Sequence, residues 1–67
     1  MNELVKYDLY KSQYGVLYRV QLNSALHKPA ELCLKVWGGW TQAHATVGDV
    51  VAGSGITLVA RNVVFKD

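Results

Sequence analysis

The chain has 67 residues, with seven Lys and Arg against five Asp and Glu and a net charge of +2. That length allows one domain, spanning 1–67, whose single core is thin enough to call for a second subunit; a homodimer is the expected form. Cys33 is the only cysteine, so an internal disulfide is excluded, and a lone thiol fits the reducing cytoplasm.

The opening MNELVKYDLYKS has no long apolar run and does not read as a signal peptide. No stretch approaches the roughly 18 uninterrupted apolar residues of a membrane span, so no membrane partner is expected. From Val5 to Leu9 the residues alternate, with Val5, Tyr7 and Leu9 on one face and Lys6, Asp8 and Tyr10 on the other. The sequence SQYG then predicts a hairpin turn, with Gly15 free to take positive φ and Tyr14 at the tip. Alternation resumes, with Val16, Tyr18, Val20 and Leu22 facing a core and Leu17, Arg19 and Gln21 facing away from it. Residues 23–30 read as a loop, because Asn23 and Ser24 form turns and Pro29 lacks a backbone donor.

Residues 31–37 predict a third strand, with Leu32, Leu34 and Val36 inward and Glu31, Cys33, Lys35 and Trp37 outward. Gly38 and Gly39 end or bend it. Beyond them Trp40 is expected in the core or at a subunit interface, and WTQAHAT holds at most one helical turn capped by Thr41. Val47 to Ala52 predicts a strand opening on Gly48-Asp49, GSG a turn, and Ile56 to Phe65 a last strand. Ile56, Leu58 and Ala60 share one parity there and Val63 and Phe65 the other, so a bulge near Arg61-Asn62 is required to turn both sets inward. Five short strands with glycine-rich turns predict an all-β fold, a small five-stranded antiparallel barrel.

The order of these elements, and in particular VGDVVAGSG (47–55) followed by ITLVARNVVF (56–65), resembles the closing strands of OB-fold single-stranded nucleic-acid-binding proteins. The likeness is to minimal members such as small phage or plasmid proteins, since no substantial helix separates the third and fourth predicted strands and no acidic tail follows. An SH3-like barrel is the alternative, because a GD pair before valines suits that fold too.

Catalytic signatures are lacking: the chain has no GxSxG, P-loop or HExxH, and Ser12, Ser24 and Ser54 lie in loops or turns. Cys33, His27 and His44 are too few and too scattered for a zinc site. The expectation is a non-catalytic protein without cofactor or metal. What the strands do offer is basic and aromatic residues on outward parities. Lys6, Tyr10, Arg19, Lys35 and Trp37, joined by Tyr14 at the hairpin tip and Arg61 at the bulge, form the expected nucleic-acid-binding set. Aromatic platforms take any base at about 1–3 kcal/mol each, and Lys and Arg neutralise phosphates. The same side chains suit a protein-interaction module, an adaptor or inhibitor with a Trp, Tyr and Arg hot spot. They equally suit an interface between copies of the chain, with function left to the 23–30 loop.

Overall fold

The computed structural model describes residues 4–33 and 39–66. In chain order these hold β1 (Leu4–Ser12), β2 (Leu17–Gln21), β3 (Pro29–Cys33), β4 (Trp40–Thr46), α1 (Val47–Ala52) and β5 (Ile56–Lys66). All strands pair antiparallel in one sheet of order β4-β3-β2-β1-β5. Four strands follow one another as a meander, and the fifth returns to the free side of β1. The architecture is the small, barrel-like all-β fold that the alternation predicts, with an open sheet in which β4 and β5 are the outer strands.

The β1–β2 hairpin forms as expected. Gly15 sits at φ 84 and its N–H donates to the Ser12 carbonyl, while Ser12 Oγ accepts from the N–H groups of Tyr14 and Val16. A three-residue loop ending in a left-handed residue is a standard hairpin closure, and glycine takes that conformation without a Cβ penalty.

Its register was not foreseen. Pairing aligns Tyr10 with Tyr18, Leu9 with Arg19 and Tyr7 with Gln21. Residues directly opposite share a face, so Tyr7 and Leu9 lie on the Arg19 side, away from Val20. The sheet therefore buries side chains on both faces. On one, Val20, Ala30, Val47 and Val50 form a core, with Tyr10, Tyr18, Ala43, Ala45 and Ile56 packed against it. On the other, Tyr7 is 3% exposed and lies edge-on to Phe65, which in turn lies edge-on to Trp40.

β1 serves both centres by changing the face it buries. Tyr7 is the buried position in its first half; in its second half Tyr10 packs inward while Lys11 is exposed. β5 keeps step through two register irregularities against β1, one between Tyr7 and Leu9 and one between Leu9 and Tyr10. At the first, Asn62 takes φ 56 and donates its N–H to Asp8 Oδ1 at 3.2 Å. This is the bulge the parity change demanded at Arg61-Asn62, and it leaves Ile56, Leu58, Ala60, Val63 and Phe65 all half-buried.

Two elements depart from expectation. Val47–Ala52 is a helix, not a strand, and WTQAHAT is a strand, not a helical turn. A capping box decides the first: Thr46 Oγ1 accepts from the Asp49 N–H at 3.2 Å, and the Asp49 carboxylate accepts from the Thr46 N–H at 3.1 Å. Val47 and Val50, one helical turn apart, are then buried together. Gly53 allows the chain to leave α1 tightly, since a Cβ there would run into the Asp49 carbonyl and the Ile56 side chain. The third strand begins at Pro29, inside the expected loop; its predicted continuation through Leu34, Lys35, Val36 and Trp37 lies outside the described residues.

Candidate nucleic-acid interface

Of the seven residues expected to bind nucleic acid, Lys35 and Trp37 lie outside the described residues. Lys6 and Arg61 are exposed, and Tyr14 is 84% exposed at the hairpin tip. Arg19 is buried and Tyr10 half-buried. Tyr10 packs against the α1-side core because β1 has already switched faces at its position.

Arg19 is 8% exposed, and the hairpin register accounts for it by bringing Arg19 onto the Tyr7 face. Its guanidinium lies 4.2 Å from the Tyr7 ring centre and 4.9 Å from those of Trp40 and Phe65. One nitrogen donates to Glu31 Oε2 at 3.2 Å, from the residue directly opposite on β3. A planar, weakly hydrated cation is suited to lie against rings while pairing with a carboxylate. Arg19 is therefore the centre of the second packing cluster. The opposition of Arg19 and Glu31 was present in the sequence but needed the register to be seen.

The exposed cations gather elsewhere. Lys6 and Lys11 on β1 and Arg61 and Lys66 on β5 are all exposed, on one two-stranded ribbon. Pairing of Leu4 with Lys66 and of Lys6 with Val64 sets Leu4, Lys6, Val64 and Lys66 on one face, opposite Val5, Tyr7, Val63 and Phe65, whereas Lys11, in phase with Tyr7, lies on the other. Leu4 is 70% and Val64 52% exposed, so this block alternates basic and apolar groups. Arg61 stands three positions before Val64. Tyr14 is at the far end of the ribbon, about 30 Å away for a strand of nine residues, so it is not beside Lys6.

Each described carboxylate is already engaged: Asp8 by the Asn62 N–H, Glu31 by Arg19 and Asp49 by Thr46. Among the described residues Arg19–Glu31 is the one ion pair, so the four ribbon cations are exposed without a contact ion pair, with the Asp8 carboxylate the acid nearest to them in β1. Lys11 and Lys66 are the members that strand parity alone did not single out. The missing signal was the face switch in β1 and the pairing of its start with the end of β5.

Among the described residues no group of three His, Cys, Asp or Glu is placed to hold a metal ion, and no helix is long and apolar enough to cross a membrane. No protein-family model matches the chain, and no curated protein or solved structure matches it.

Proposed function

We propose that the protein binds single-stranded nucleic acid, without catalysis and without strong sequence preference, along the β1–β5 ribbon. The observation that carries this reading is the set of exposed cations Lys6, Arg61 and Lys66, with Lys11 on the reverse face, on one ribbon ending in an exposed tyrosine. Phosphates would meet the ammonium and guanidinium groups, and Tyr14 offers a ring face to a base beyond the hairpin end. Lys35 and Trp37 stay in the proposed set on the strand parity that placed them outward.

Equilibrium binding of a fluorescently labelled oligo-dT tests it. Tyr14→Ala is expected to weaken binding by about 1–3 kcal/mol, the loss of one stacked base, and to do so equally for dT and dA. Undiminished affinity in both Tyr14→Ala and the Lys6→Gln/Arg61→Gln double variant would count against the ribbon.

A protein-interaction module is the second reading, favoured by the exposed Leu4 and Val64 between the lysines. It expects no binding to any oligonucleotide at low salt. In either case a homodimer fits the thinness of the interior, in which Tyr7, Val20, Ala30, Val47 and Val50 are the buried apolar residues among those described. Sedimentation equilibrium is expected to return twice the chain mass.

A further inference from the structure

β2 and β3 are each five residues long, yet among the described residues they pair only at Tyr18–Leu32 and Arg19–Glu31. Beyond Arg19 the strands part toward the 22–28 turn, and β3 begins with a proline that has no N–H to donate. β3 and β4 are also irregular here, with a register shift between Pro29 and Glu31. A cleft of about 320 Å³ opens at this split. Such a volume lies at the small end of ligand-binding pockets.

The cleft has a definite polarity. Arg19, Glu31 and Gln42 form one row across β2, β3 and β4, because each faces the next in register. Gln21, Ser24 and Lys28 complete the polar lining, and Val20, Ala30 and Val47 also border the cleft where the strands split. Arg19 and Glu31 neutralise one another at 3.2 Å. Lys28 is exposed and forms no ion pair among the described residues, which leaves the cleft with one net positive charge. A lysine ammonium is a point-charge partner for phosphate. Gln21 and Gln42 each present an amide donor and a carbonyl acceptor, the mixture that the edge of a nucleobase requires, and Ser24 adds a hydroxyl for a sugar or phosphate oxygen.

We infer that this cleft is a second binding site, for a nucleoside monophosphate, with the phosphate on Lys28 and the base edge between the two glutamine amides. The nucleotide is either free or the phosphorylated end of a strand. The site shares none of its residues with the β1–β5 ribbon, so it stands or falls separately from binding along that ribbon.

The test is a ¹⁵N–¹H correlation titration of the full chain with nucleoside 5′-monophosphates, the matching nucleosides and inorganic phosphate. The side-chain amide signals of Gln21 and Gln42 are expected to shift saturably with the monophosphates, at least about tenfold more tightly than with nucleoside or phosphate alone. Lys28→Gln is expected to weaken the site by about fivefold or more, and Gln42→Leu likewise, each with the dispersed spectrum of the folded chain. Lys6→Gln/Arg61→Gln is expected to leave it unchanged. A 5′-phosphorylated strand binding more tightly than its unphosphorylated twin identifies the strand end as the source, whereas equal binding of the two identifies the free nucleotide. The inference is overturned if the glutamine amides do not shift saturably, if inorganic phosphate acts as well as the nucleotide, or if both cleft variants bind as the parent does.

Discussion

Arg19 shows how far one side chain's role depends on its neighbours across the sheet. Its position in the alternation marks it as outward, and on an isolated hairpin with the core on the Val20 side it would be. In the folded chain the opposite face also closes, with Tyr7, Trp40 and Phe65 around the guanidinium and Glu31 holding one nitrogen. Breaking a buried pair by removing one partner typically costs 3–5 kcal/mol. Because a third of the Glu31 side chain is still exposed, at 33%, Arg19→Ala is expected to destabilise by about 2–3 kcal/mol in urea denaturation. Arg19→Lys is expected to recover little of that, since a compact ammonium cannot lie flat against three rings. A lysine variant as stable as the parent would mean that the charge alone matters there.

At the scale of elements, parity was legible and register was not. The change of parity within β5 required a bulge at Arg61-Asn62, and Asn62 occupies it at φ 56. Asn62→Gly is expected to be nearly neutral, whereas Asn62→Val, forced into the left-handed region, is expected to cost about 1–2 kcal/mol by the same denaturation measurement. The face switch in β1 had no such local mark, because it depends on which partner lies beside each half of the strand. That is why Lys6 was placed outward correctly and Tyr10 was not.

α1 is different, because its mark was present. Thr46-Val47-Gly48-Asp49 has the spacing of a capping box, but the valines and the glycine suggested a strand. Thr46→Ala is expected to cost about 1 kcal/mol. The Thr46 backbone N–H and hydroxyl hold the Asp49 carboxyl below its ordinary value of 3.8. A carboxyl depressed by folding stabilises above its unfolded pKa, and that contribution disappears as the pH falls through the lower folded value. Asp49→Asn is therefore expected to flatten the loss of stability on acidification below the ordinary carboxyl range, read by thermal melts at a series of pH values. An unchanged acid profile would show the capping interaction to be absent in solution.

For the molecule as a whole, the sheet divides its labour. Two small packing centres sit on opposite faces of the central strands, and the long outer strand β5 carries two irregularities with Arg61 and Lys66 exposed. Irregularity and positive charge are the features that discourage edge-to-edge pairing of strands. They also leave a ribbon on which Lys6, Lys11, Arg61 and Lys66 outnumber the one described acid, Asp8. The most direct test is the salt dependence of oligo-dT affinity, followed by fluorescence anisotropy. Three phosphates met by Lys6, Arg61 and Lys66 are expected to give a slope of log K against log salt of about −2, falling to about −0.7 in the Lys6→Gln/Arg61→Gln variant. A slope near zero, or one unchanged by that double substitution, would contradict binding along the ribbon.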